Sequence, residues 1–412
     1  MNKYISIFFC VQIIALNLFA MQPKVTPVDY VRPQIDTHKS RWFFFSSASR
    51  PFGMVSLSPD TWTEGSWNSG YLYNSKEIRC FSHVHCWQLA GVPVMPTTGE
   101  VKGHKGMDAY KSTYSHETEI VKPGYHKVEL DTYQIRVELT STSRVGMHRY
   151  TYPAGEKANV LFDVGALLAH GKTEKAAIHR ISSKEIGGYS VLAPTSRRKK
   201  PVTVYFVARF NQNMTAFGGW EKEGKEKKLV HKNSIEGADI GGYASFGKLK
   251  KQTLLMKVGI SYVSEEQARI NLEKELAHWN FDRVKEDAFA EWNRELGKIT
   301  VEGGSEEEKI KFYTDLWHSL LGRHTFSDFN GKYIDNTGEE PVVRQVPLDN
   351  GTPTRNTYNS DAFWGSEFNL NILWSIAYPK VMSEFVSTLV DYYTNGGMIA
   401  RGPSGGNYTY VM

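Results

Sequence analysis

The sequence predicts a multi-domain β + α protein, with an N-terminal β-sandwich, a helical linker and then a second, helical domain. Three observations lead there. From Val28 to about Tyr262, short runs alternate apolar and polar residues between Gly, Pro, Asn and Ser punctuation. At Ser264 the apolar period changes from two to that of a helix. The chain has 412 residues, 41% hydrophobic and 23% charged, which supplies more than one average domain and ample core.

The elements follow in order. Lys3, the apolar run from Ile5 to Phe19 and the small residue Ala20 read as a secretory signal over residues 1–20. That run is short for a membrane span and no stop-transfer pattern follows, so the expectation is export, secreted or periplasmic. The β-sandwich is assigned to 28–263. Gln134 to Leu139 and Val202 to Ala208 are sample strands, and Leu254 to Val263 is the last long one. Ser264 with Gln267 makes a capping box, and Leu272, Leu276 and Trp279 recur at helical spacing. A second helix runs through Ala288, Trp292 and Leu296, completing a helical linker over 264–303. Ser305 with Glu308 makes another capping box and opens the helical domain of 304–412. Gly322 to Asp361 reads as loop-rich. Helices resume from Phe363 to Ala377 and again from Pro379, ending at Gly396-Gly397. Met412 falls in a Gly-rich run where natural domains rarely end, so a truncated reading is expected.

Composition narrows the function. The net charge of +5 is weak for this length. The basic run Arg197-Arg198-Lys199-Lys200 reads as a solvated loop tip, and no stripe or module for nucleic acid is present. Aromatic residues make up 13%, which suits stacking on sugar rings and equally suits β-sandwich cores. Cys10 leaves with the signal. Cys80 and Cys86 remain, with pairing left open. A metal site formed by these two with His83 and His85 is the weaker reading, since zinc prefers tighter Cys spacing.

Several collinear motifs carry a family resemblance. They are Pro51-Phe52-Gly53-Met54-Val55 with Ser58-Pro59-Asp60-Thr61, then Gly70-Tyr71, Phe81-Ser82-His83-Val84-His85 and Arg144 to Tyr150. Lys257 to Ser264, Phe312-Tyr313 with His318 to Leu321, and Gly396-Gly397 with Gly406-Asn407-Tyr408-Thr409 follow. In these the chain resembles glycoside hydrolase family 92, the calcium-dependent α-mannosidases. The resemblance implies a β-sandwich packed on an (α/α)6 barrel, incomplete here. It also implies inverting hydrolysis of α-1,2-mannosides, with an oligosaccharide or glycan as the partner. Inversion needs a general acid and a general base about 6.5–9.5 Å apart. The resemblance puts both, and the Ca²⁺ ligands, beyond Met412, so no catalytic residue and no metal ligand is expected in this chain.

What the resemblance leaves is substrate contact. Trp67 stands where the family places an aromatic against mannose, and a core role weighs equally. His83 and His85, two apart, face one side of a strand and donate to hydroxyls or serve structure. Asn407 lines the site or makes a turn. Around Trp364 the family's Asp and Arg are replaced by Gly365 and Phe368, leaving Glu367 and Asn369 nearby. Glu367 points away from Gly365 on a helix and is no simple stand-in. The row Ser40 to Ser47 replaces a Gly- and His-rich loop, as a reshaped pocket wall or a buried strand. Asp349 and Asp361 lack a partner carboxylate, and Asp361 reads better as a helix N-cap. The reading is an exo-acting glycosidase fragment; the alternative is a non-catalytic glycan-binding β-sandwich protein.

Overall fold

Along Val202–Phe210, alternation puts Val202, Val204, Phe206, Ala208 and Phe210 into one core, while Val207 faces the other way. The same logic builds two antiparallel sheets. The computed structural model describes residues 25–38, 45–64, 70–168, 172–360 and 365–410. One sheet has nine strands, in the order Ser234–Gly237, Thr173–Arg180, Glu185–Leu192, Val202–Phe210, Thr253–Ser261, Val145–Thr151, Ile135–Ser141, Tyr125–Leu130 and Ile120–Lys122. The other has seven, in the order Ser58–Asp60, Cys80–Ser82, Val94–Thr98, Lys157–Phe162, Gly241–Lys248, Ala216–Glu223 and Glu226–Val230. Their inner faces share one cluster, in which Phe162 stacks on Phe206 with centroids 5.9 Å apart.

The helices that bear on the site are α1 (Pro27–Tyr30), α2 (Glu265–Glu275), α3 (Phe281–Leu296), α4 (Glu306–Ser319), α5 (Leu370–Ala377) and α6 (Pro379–Gly396). Ser264 caps α2 by accepting from the Gln267 amide at 3.1 Å. Ser305 and Glu308 close a reciprocal box on α4. α2 lays Ala268 and Leu272 on Val145, Met147 and Val207, covering the outer face of the nine-stranded sheet. The other helices bury Trp292, Trp317, Trp374 and Phe385 in a second cluster. On the far side of α5 and α6, Ile372, Ile376, Val390 and Tyr393 are exposed.

Four expectations change here. The first described element, at Val28, is helix α1 and not a strand. It joins the helical cluster, with the Val28 amide donating to Asn293 Oδ1 at 3.0 Å and the Arg32 amide to Thr314 Oγ1 at 3.0 Å. The loop-rich segment contains small antiparallel strand pairs, among them Arg323–Thr325 with Tyr358–Ser360. Helix α5 begins at Leu370, because Gly365 is left-handed, Ser366–Phe368 is a 3₁₀ turn, and the Asn369 side chain caps the Leu370 amide. The basic run is not a solvated tip. Arg198 is buried and donates to the carbonyls of Gln88, Lys200 and Ala193, and burial lowers it to about 10. Lys200 donates to the carbonyls of Asn336 and Gly338, so the run clasps the β-domain to the helical region.

Candidate functional site at the domain seam

The FSHxH segment is not one strand. Cys80–Ser82 and Val84–Cys86 are separate strands, and His83 lies between them. Both histidines are interior. His83 Nδ1 meets the Val92 carbonyl at 2.7 Å, so it carries the proton; Nε2 then accepts from His148 Nε2 at 2.9 Å. His148 Nδ1 in turn accepts from the Tyr150 hydroxyl at 2.9 Å. Burial lowers His83 to about 4 and pushes His148 well down, which keeps both neutral. Gly146 has no room for a side chain, because a Cβ there would lie 2.7 Å from the His83 ring. His85 donates from Nδ1 to the Ser56 carbonyl at 2.6 Å and pairs through Nε2 with Asp60 Oδ1 at 2.9 Å. Burial opposes its charge, but the Asp60 carboxylate raises it above the ordinary value. The sugar-contact expectation for His83 and His85 is therefore corrected: neighbouring protein groups occupy both rings. Cys80 and Cys86 are both buried; the Cys80 thiol donates to Asp60 Oδ2 at 3.4 Å, and Cys86 Sγ lies 3.9 Å from Ser56 Oγ.

Three motif segments meet at the strand pair Arg323–Thr325/Tyr358–Ser360 and the Gly-rich loop bonded to it. Phe52 inserts into the helical cluster against Trp374, with centroids 5.0 Å apart, and its carbonyl accepts from the Thr325 amide at 2.8 Å. The Gly53 carbonyl faces His324 Nδ1 at 3.1 Å. The turn of the Val84–Cys86 hairpin meets the Gly-rich loop where Ser404 Oγ donates to the Trp87 carbonyl at 2.6 Å. Asn359 Oδ1 accepts from the Gly405 amide at 2.8 Å. Gly406, with φ +74°, packs so tightly that a Cβ would lie 2.4 Å from the Ile334 carbonyl oxygen. Asn407 is buried in that turn, with its amide group donating to the Gly405 carbonyl at 3.1 Å. The turn role, rather than sugar contact, is the one its bonds describe.

On this strand pair and on α6 some buried polar side chains behave differently. His324 lies opposite Asn359, and Thr357 is two residues from Asn359 and so on the same side. The Gly53 contact puts the His324 proton on Nδ1 and leaves the Nε2 lone pair. Burial lowers the ring to about 4. His324 Nε2, Asn359 Nδ2, Thr357 Oγ1 and the Tyr392 hydroxyl are buried and have no hydrogen-bond partner among the described residues. Of the four, Thr357 and Tyr392 line one small cavity, where an incoming hydroxyl can both donate and accept. His324, Thr357 and Asn359 carry no periodic signal and lie in the segment that reads as loop, whereas Tyr392 lies within the expected helix from Pro379.

Trp67 and Trp364 lie outside the described residues, as do residues 1–20 of the expected signal, Ser40 to Phe44 and Asp361. Glu367 is exposed on the 3₁₀ turn. Asp349 sits on an exposed hairpin tip. For calcium, which takes six to eight oxygens, the described residues offer one cluster of three side chains: Asp36, Asp315 and His318, with ligand atoms within 4.8 Å. An imidazole is a poor calcium donor, and Lys311 already pairs with Asp315 at 2.8 Å. The set does not fit calcium. No helix among the described residues is long and apolar enough to cross a membrane.

Residues 30–261 match the glycosyl hydrolase family 92 N-terminal domain, and residues 267–412 match the family 92 catalytic domain. A family 92 α-mannosidase from Bacteroides thetaiotaomicron superposes with a TM-score of 0.84 at 26% identity, over 95% of this chain and 53% of that one. The same mannosidase in complex with mannoimidazole gives 0.82 at 26%, over 94% and 51%. A family 92 inverting mannosidase from that bacterium gives 0.80 at 22%, over 94% and 51%, a likeness of fold alone. An uncharacterized secreted glycosidase from Arthroderma benhamiae is 23% identical over 330 residues, covering 72% of this chain and 40% of that protein. The chain thus spans about half the length of the structures it matches.

Proposed function

This chain belongs to glycosyl hydrolase family 92, and from that premise we propose that it is the N-terminal half of a secreted, inverting α-mannosidase-like hydrolase acting on α-1,2-linked mannose in glycans. The observation that carries the reading is the convergence of the PFGM, FSHxH and Gly-rich segments on one polar seam. The bound mannoimidazole of the related enzyme supports a glycan ligand. The row Ile372, Ile376, Val390 and Tyr393 supports a longer protein whose further helices cover it.

The residues described here bind and shape rather than hydrolyse. Asp335 and Asp391 each pair with an arginine, and Glu384 accepts from the Tyr358 hydroxyl at 2.6 Å. None of these is poised as an inverting acid and base. Calcium dependence is part of the same reading for the longer protein, with its ligands outside the residues described. The test is α-1,2-mannobiose offered to the 412-residue chain, with hydrolysis followed by mannose release and binding by calorimetry. Binding without hydrolysis is expected. Hydrolysis by this chain would overturn the division of labour, and absence of any binding would overturn the glycan reading.

A further inference from the structure

We propose that the small cavity between α6, the Arg323–Thr325/Tyr358–Ser360 strand pair and the Gly-rich turn is a subsite for the hydroxymethyl arm of a hexose. The inference rests on the glycan reading above and adds to it the group recognised and the residues that recognise it.

The cavity is lined by Phe326, Tyr333, Thr357, Asp391, Tyr392 and Gly406, among others. The empty space, open mouth included, is about 270 Å³, and the enclosed depth has room for roughly one water-sized group. That excludes a sugar ring and admits a single hydroxyl on a short arm. A ring hydroxyl would bring the ring against the rim; an exocyclic hydroxymethyl reaches one carbon further.

The chemistry of the walls matches such an arm. Thr357 is 1% exposed and Tyr392 7%, and neither hydroxyl has a partner among the described residues. An unpaired buried hydroxyl costs about 1–3 kcal/mol. One arriving hydroxyl, which donates once and accepts twice, relieves both. Phe326 and Tyr333 supply apolar surface for the methylene carbon. The charges in the wall are already paired: Asp391 takes two bonds from Arg355 at 2.8 and 2.7 Å, and Asp335 pairs with Arg344 at 3.0 Å. A neutral polar group therefore fits better than an ion. Tyr392 is held from behind by Tyr408 of the Gly-rich turn, whose hydroxyl donates to the Tyr392 carbonyl at 2.9 Å. This ties the cavity to the loop that meets the β-domain.

The experiment uses the 412-residue chain with Thr357→Val and Tyr392→Phe, each removing a hydroxyl at nearly constant shape. The probes are methyl α-D-mannopyranoside and its 6-deoxy and ring-deoxy analogues, titrated by calorimetry. Wild type is expected to bind the parent about tenfold more tightly than the 6-deoxy analogue. In each variant that ratio falls to about one, through a loss for the parent with the 6-deoxy affinity unchanged. Thermal midpoints at or above wild type show that the variants fold. A wild-type ratio of one means the cavity holds only water and overturns the subsite while leaving the glycan reading intact. So does a ratio that survives both substitutions, or a preference seen only with a ring-deoxy analogue. No binding of any probe overturns both.

Discussion

Two groups of buried polar side chains, one on each side of the seam, are bonded in opposite ways. In the β-domain, His83, His85, Asp60, His148 and Tyr150 are all interior and bonded to one another or to backbone carbonyls. Across the seam, His324, Thr357, Asn359 and Tyr392 are just as deeply buried, yet each keeps one polar atom without a protein partner. Buried polar atoms are paired in the great majority of cases. Motif residues on the first side therefore serve as framework, and unremarkable residues on the second side are the ones with bonding capacity left. The difference teaches that a motif histidine need not be a site histidine.

The strongest test of the first half is His85→Ala. It strands the Asp60 carboxylate in the interior, and breaking a buried pair in this way costs about 3–5 kcal/mol. Urea unfolding is the measurement; a loss below about 1 kcal/mol would show that the network is not the framework claimed. Arg198→Ala comes next. It deprives three β-domain carbonyls of their donor and loosens the segment that carries Lys200, whose ammonium bonds Asn336 and Gly338, with an expected loss of about 2–3 kcal/mol. Limited proteolysis of the Gly-rich loop should accelerate in the same variant.

Asp328 refines the comparison, because it sits at the junction of both halves. It accepts from Ser261 Oγ at 2.8 Å and Asn271 Nδ2 at 2.7 Å, and burial raises it to about 7. The folded value lies above the unfolded one, so the folded state holds this proton more tightly. Its contribution to stability is full below about pH 4, falls as pH rises toward 7 and is lost above. Asp328→Asn removes that slope. The stability of the variant relative to wild type should climb between about pH 4 and 7, read from unfolding midpoints at each pH. A flat difference would mean the carboxyl is already ionised in the fold.

How much of this was legible in the sequence depends on range. The Ser305–Glu308 box and the period change at Ser264 are local, and they stand where the pattern put them. The start of α5 escapes the pattern because apolar residues recur all along Phe363 to Ala377, and apolar spacing does not register that Gly365 turns left-handed. Arg198 was read as solvated because its acceptors, apart from Lys200 and Ala193, lie far back at Gln88. The bonding of His324 depends on Gly53, 271 residues away. No window of sequence contains that contact.

The smallest expected effect gives the sharpest contrast. Two buried threonines, Thr140 and Thr357, differ in one respect: Thr140 Oγ1 donates to the Gly124 carbonyl at 2.8 Å, and Thr357 Oγ1 donates to nothing described. Thr140→Val deletes a made bond and should cost about 1–2 kcal/mol. Thr357→Val deletes an unmade one and replaces a stranded hydroxyl with a methyl group of similar volume. In the free protein it should be neutral or stabilising by up to about 1 kcal/mol. The opposite signs follow from hydrogen bonding, since the substitution and the burial are the same at both positions. Unfolding of the two variants side by side measures the difference. Equal losses would mean that Thr357 has a partner after all, and the polar asymmetry across the seam would disappear with it.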